Sequence, residues 1–189
     1  AVAEVIRLQR RIFARQRRLI EASEARKSPG FGRYRNEYLR AVSGYLAESG
    51  FGALCDAVAG ARVAYVADYH THRLAQKTLV TLVRAVQQQT DNIVIATEFV
   101  SRRHQTELDR FLAGRVSEAT FLRRIRYREQ WPYDIWPNFR QLFDLAAEQG
   151  LPMAAIDADS GLPLPERDRL AAEVIARAAV ENPDATIVV

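Results

Sequence analysis

Two short apolar segments, Arg62-Val63-Ala64-Tyr65-Val66-Ala67 and Ile93-Val94-Ile95-Ala96-Thr97, each run straight into acidic or imidazole side chains. The first is followed by Asp68-Tyr69-His70-Thr71-His72 and the second by Glu98-Phe99. Between them Leu74, Leu79, Val80, Leu82, Val83 and Val86 recur at helical spacing over 73–89, closed by Thr90-Asp91-Asn92. The order strand, helix, strand builds parallel sheets, because parallel neighbours need a crossover between them. In such sheets ligands sit beyond the carboxyl ends of the strands. Asp68, His70, His72 and Glu98 are thereby expected at one edge of one sheet.

The same alternation continues to the end of the chain. Helices are expected at 103–113 and 117–127, split by Gly114, with Ser117 as an N-cap. The loop Gln130-Trp131-Pro132-Tyr133-Asp134-Ile135-Trp136-Pro137 holds both tryptophans. A helix at 138–149 ends at Gly150, and a strand at 152–156 delivers Asp157 and Asp159. A helix over 165–180, with Pro165 in its first turn, leads to a last strand at 186–189. The fold class expected is α/β: a mainly parallel sheet, with strands at 62–67, 93–97, 152–156 and 186–189, covered by helices.

Residues 1–59 read differently, as a helical N-terminal extension preceding an α/β domain at 60–189. Val5, Ile6, Ile12, Phe13, Leu19 and Ile20 recur near every seventh position of a helix over 3–26, with arginines between them. Ser28-Pro29-Gly30-Phe31-Gly32 is expected to stop it, and a second helix to follow at 34–48. A basic amphipathic helix suits a membrane surface or a partner, but more commonly packs its apolar side on the body of the protein. The packed reading is the one expected here. The first fifty residues carry a net charge of +6 and the remainder −2, and nearly all the positive charge is arginine. No stacking platform, zinc spacing or recognition-helix pattern accompanies it, so nucleic acid is not expected as a partner.

The 189 residues suit one domain of ordinary size, and a 48% hydrophobic content suits a packed core. Cys55 is the only cysteine, which excludes an internal disulfide and a Cys-based zinc site. The chain opens on Ala1 and closes on an unfinished strand, so both ends read as cut and the C-terminal part of the domain as missing. No membrane attachment is visible in the sequence, and the compartment stays open. A homodimer is compatible with it.

His70-x-His72 beside Asp68 has the composition of a metal or acid/base site, and Glu98, a carboxylate at the inner edge of a buried strand, is the stronger individual candidate. His70 and His72, two apart on an extended segment, point to opposite faces, so one of them is expected to be structural. His104 follows Arg102 and Arg103 at a helix start and reads as a surface residue. Tyr69 is open to three roles: packing, hydrogen bonding, or a phenolate ligand to ferric iron. Arg123, Arg124, Arg126 and Arg128 lie close to Trp131, Tyr133 and Trp136, a pairing that suits a planar acidic ligand or else a solvated helix face beside a plugged loop. No G-x-S-x-G elbow, P-loop, G-x-G-x-x-G or H-E-x-x-H occurs, which removes the commonest hydrolase, NTPase, dehydrogenase and metalloprotease readings.

Taken in order, Ala67-Asp68-Tyr69-His70, Glu98-Phe99, the run Gln105 to Gly114 with its Leu-Asp-x-Phe-Leu-Ala-Gly string, Trp131-Pro132-Tyr133-Asp134, and Gly150 to Asp157 resemble the ChaN-like haem-binding family of the Tiki superfamily. The likeness covers about 62–189. The Gly-Glu-x-His signature of that family stands here as Ala67-Asp68-Tyr69-His70, in which Asp keeps the carboxylate and shortens its reach. The resemblance implies a parallel α/β domain with a strand-end histidine and glutamate around a site. It implies haem binding in iron uptake or, in other branches, metal-dependent cleavage of peptides or esters. His70 and Glu98 carry over by motif; Tyr69, His72 and Asp157 enter only from their place at strand ends. A further Gly/His element of the family would fall beyond Val189.

Two functions from different classes follow. One is a haem- or iron-binding protein whose pocket is formed by His70, Glu98, Tyr69, Trp131 and Tyr133, taking haem or a small anionic ligand. The other is a hydrolase that holds a divalent metal ion with His70, Asp68 and Glu98. A scaffold that keeps the fold and has lost the site is the third possibility.

Overall fold

The computed structural model describes residues 2–23, 29–44, 49–68, 70, 72–90, 92–131, 133–158 and 161–189. By its contacts the chain divides into two compact units, 1–48 and 49–189.

The first unit contains α1 (Val2–Ser23) and α2 (Pro29–Val42). Pro29 belongs to the second helix and does not merely stop the first. Proline has no N–H to lose in a first turn and its φ suits a helix start. Of the apolar residues of α1, Leu8, Ile12 and Phe13 are 57%, 49% and 67% exposed.

The second unit begins with α3 (Phe51–Ala59), which buries Cys55 and Val58 in its core. Then come β1 (Val63–Ala64), α4 (Arg73–Val86), β2 (Ile93–Ser101), a 3-10 turn at Arg102–His104, α5 (Gln105–Leu112), α6 (Glu118–Arg124), α7 (Tyr127–Gln130), α8 (Trp136–Gln149), β3 (Met153–Asp157), α9 (Leu164–Glu181) and β4 (Thr186–Val188). The four strands form one sheet in the order β1-β4-β2-β3, every pair parallel. The parallel α/β expectation is borne out, with one difference of topology. β1 and β2, consecutive in the chain, are not neighbours, because β4 inserts between them.

β2 is paired on both edges and buried on both faces, which explains its unbroken apolar run. Alternate residues serve opposite layers. Ile93, Ile95 and Phe99 join the core under α3, α4 and α8, whereas Val94 and Ala96 join the smaller core under α9. The larger core is aromatic around Phe99, whose ring lies 5.1–5.7 Å from those of Tyr127, Trp131, Trp136, Phe139 and Phe143. Among the described residues no strand pairs with the outer edge of β3. Gln105 takes that role, donating to Met153 O at 2.9 Å and accepting from Ala155 N at 2.7 Å. Its side chain satisfies an edge that would otherwise offer free backbone groups.

The caps follow the sequence closely. Ser117 accepts from Thr120 N at 3.3 Å and opens α6. Gly150 closes α8 in the left-handed region at φ 65°, and Leu151 N reaches back to Ala146 O at 2.9 Å. The helix expected over 117–127 is interrupted, because Arg126 takes φ 55° between α6 and α7. Among the described residues no helix is long and apolar enough to cross a membrane.

Phe143 is fully buried in the aromatic core. Phe143→Ala is expected to destabilise the chain by about 3–5 kcal/mol through lost transfer energy and a residual cavity. Val180→Ala, at a position 80% exposed, is expected to change stability by no more than about 0.5 kcal/mol. Denaturant unfolding of the two variants beside the native chain measures the contrast.

Candidate functional site

The site lies where the parallel-sheet rule puts it, past the carboxyl ends of the strands. The chain leaving β1 supplies Asp68 and His70, β2 supplies Glu98, and β3 supplies Asp157. The expected second strand at 93–97 is longer than its apolar run. It continues to Ser101, so Glu98 is a strand residue and not the residue after one. Its pairing with β3 slips between Thr97 and Ser101. Within that irregular stretch Glu98 is the only exposed residue of β2.

His70 stands between two carboxylates. Its Nε2 is 3.2 Å from Glu98 Oε1, and its Nδ1 is 2.8 Å from Asp68 Oδ1. The second contact is close but lies off the axis of an N–H bond, so it is not a directed hydrogen bond. One potential ligand atom from each of Asp68, His70 and Glu98 falls within 4.8 Å of the others. The imidazole is held from its other sides as well. The ring of Trp131 meets it edge to face at 5.0 Å, Phe139 lies at 5.9 Å, and Asn138 donates to the His70 carbonyl at 3.4 Å. Trp131 is itself anchored by its indole N–H on Phe99 O at 3.3 Å.

The cluster opens into a cleft of about 530 Å³ whose walls include His70, Glu98, Trp131, Asp157 and three arginines, Arg103, Arg126 and Arg167. Arg167, from the first turn of α9, donates to Asp157 Oδ1 at 2.8 Å, and this bond raises the guanidinium pKa above its ordinary value. Glu98 keeps 58% of its side chain exposed, yet the surrounding protein strips enough solvent to raise its carboxyl above the usual range. Desolvation is the main cause; Asp68 and Asp157 add to it, while His70 and Arg167 oppose it.

Of the residues singled out in the sequence, Asp68, His70, Glu98, Trp131 and Asp157 come together. Tyr133 does not: its side chain is 68% exposed and takes no part in the cleft wall. The apolar residues on either side of the loop turn inward, and the tyrosine is left outside. His72 occupies the N-cap position of α4, exposed, and His104 lies outside the cleft against Arg103. Tyr69 and Asp159 lie outside the described residues. Of the basic run, Arg126 alone reaches this cleft; Arg124 is spent on Glu107 at 2.7 Å. Sequence reasoning missed Gln76, Asn138 and Arg167. A glutamine on the apolar stripe of α4 was the one available signal.

The raised carboxyl makes a pH prediction. Folded Glu98 keeps its proton at pH values where the unfolded chain has released it, so this group's contribution to stability falls as pH rises through that window. Glu98→Gln removes the titration. The stability offset between variant and native chain is expected to be constant below about pH 4 and to move in the variant's favour above it. Denaturant midpoints over a pH series read the offset; movement in the opposite direction refutes the assignment.

The family model described as haem-binding uptake, Tiki superfamily, ChaN matches residues 54–163. Comparison with curated proteins and with solved structures yields no match. The matched stretch runs from α3 through the segment after β3 and contains Asp68, His70, Glu98, Trp131 and Asp157. With more than half its length under that description, and the strand-end histidine and glutamate of the motif meeting at one cleft, the chain belongs to the ChaN haem-binding uptake family of the Tiki superfamily.

Proposed function

We propose that this protein binds haem in the cleft at the carboxyl ends of β1, β2 and β3, in the manner of an iron-handling protein. The observation that carries the reading is His70: an imidazole facing the cleft, edge-on to Trp131, with carboxylates near both ring nitrogens. Haem asks for an axial nitrogen or oxygen donor, a flat apolar contact and cations for its two carboxylates. The donor set fits those demands. His70 would hold the iron through Nε2, with the Glu98 carboxylate beside it. Trp131 supplies the flat contact, and Arg103, Arg126 and Arg167 supply the cations. Bound haem supplies an iron centre whose chemistry is set by the axial ligand and its neighbours.

The measurement is a haem titration followed by visible absorption. The native chain is expected to give a saturable shift of the main absorption band. His70→Ala is expected to weaken binding at least about tenfold or to change the band position, whereas His104→Ala leaves both as they were. A native chain without a saturable shift, or a His70→Ala variant with an unaltered one, removes the reading.

One observation favours a second reading, a metal-dependent hydrolase. Asp68, His70 and Glu98 bring a nitrogen and carboxylate oxygens to one place, the mixed donor set that divalent ions take, with the cleft side left open for substrate. A metal ion there supplies Lewis acidity and a water of lowered pKa. Under this reading Asp68→Asn, which keeps shape and removes charge, is expected to lower zinc or manganese affinity about tenfold or more in calorimetric titration, and with it any metal-dependent ester or peptide cleavage. Metal-dependent cleavage is the readout that separates the two readings, since haem binding alone does not supply it.

A further inference from the structure

We propose that Gln76 is a positioning residue for His70, acting through Asp68, an assignment that rests on the reading of Asp68, His70 and Glu98 as the ligand-bearing cluster. Gln76 sits on the buried stripe of α4 beside Val80 and Val83, and only 2% of it is exposed. An amide in such a place is costly unless its hydrogen bonds are made, and a leucine would pack there without that cost. The amide has a specific use: Gln76 Nε2 donates to Asp68 Oδ2. The other carboxylate oxygen, Oδ1, faces His70 Nδ1 at 2.8 Å.

The two oxygens of Asp68 are therefore divided between the α4 helix and the imidazole ring. Rotation about the Asp68 Cβ–Cγ bond, which would carry Oδ1 away from the imidazole, breaks the bond to Gln76. The helix registers the carboxylate and the carboxylate registers the ring. Aspartate needs this support because its short side chain cannot follow the ring outward. The donor is neutral as well. A lysine or arginine at position 76 would hold Asp68 equally well but would cancel its charge, which an imidazole or a cation in the site uses. An amide fixes the oxygen and leaves the charge in place. Outer partners of this kind commonly decide ligand affinity without touching the ligand.

The test uses the ligand-free chain with 15N-labelled histidine, so that it does not depend on which ligand the cleft takes. The His70 ring signals are identified by their loss in His70→Gln. Gln76→Met keeps length and apolar bulk and removes the donor. It is expected to displace both His70 ring nitrogens in the same sense as Asp68→Ala, to add nothing further in the Asp68→Ala background, and to leave the His104 signals in place. Gln76→Asn, one methylene too short, is the second variant should Gln76→Met unfold early in a thermal scan. Titrated with haem or with zinc alone, the folded variant is expected to bind about tenfold more weakly than the native chain. His70 signals that do not move, or shifts that add to those of Asp68→Ala, overturn the positioning role. A chain that shows the coupled shifts but binds neither haem nor metal overturns the proposed function and leaves the role of Gln76 standing.

Discussion

The structure depends on one strand. β2 is hydrogen-bonded on both edges and covered on both faces, so its register decides where every other layer goes. A one-residue slip would exchange the two faces, sending Ile93, Ile95 and Phe99 to the smaller core and Val94 and Ala96 into the aromatic one. The slip that does occur is local, against β3 between Thr97 and Ser101. It falls where the apolar run ends, and there the strand carries Glu98 into the open. The stability of the core and the placement of the carboxylate are thus two results of the same pairing.

Around Glu98 the charges are arranged in alternation. Asp68, His70, Glu98, Arg167 and Asp157 run from the end of β1 across to β3, with the carboxylates separated by an imidazole or a guanidinium. Like charges this close are tolerable only with such spacers or with a bound cation. The cleft is also open to water, which lowers the cost of holding charge there. That distinguishes it from pairs such as Arg124–Glu107 and Arg169–Glu173, which fasten exposed helices and carry little weight in stability. The cleft presents both signs of charge beside the indole of Trp131.

Much of the fold could be read from patterns. Apolar runs bounded by turn residues marked all four strands, and Ser117 and Gly150 marked helix ends. The joint between α6 and α7 could not be read, because a left-handed arginine has no sequence signature. Its consequence was equally hidden: Arg126 turns to the cleft while Arg124, two residues earlier, pairs with Glu107. The same holds for Tyr133. Its neighbours Trp131 and Trp136 compete for the aromatic core around Phe99, and their docking leaves the tyrosine ring exposed. Competition for burial is settled by shape, which spacing does not encode.

The sequence alone determined that the sheet is parallel and that Asp68, His70 and Glu98 lie at its carboxyl edge, whereas His72, expected with them, takes the N-cap position of α4. Both follow from local chemistry, since apolar β-formers separated by amphipathic helices have few other ways to bury themselves. Only the tertiary structure decided that β4 enters between β1 and β2, that Gln76 rather than a charged residue backs Asp68, and that Arg103, Arg126 and Arg167 share a cleft with His70. Each of these joins residues far apart in the chain, and whether such groups meet depends on how whole layers pack, a property no local segment carries.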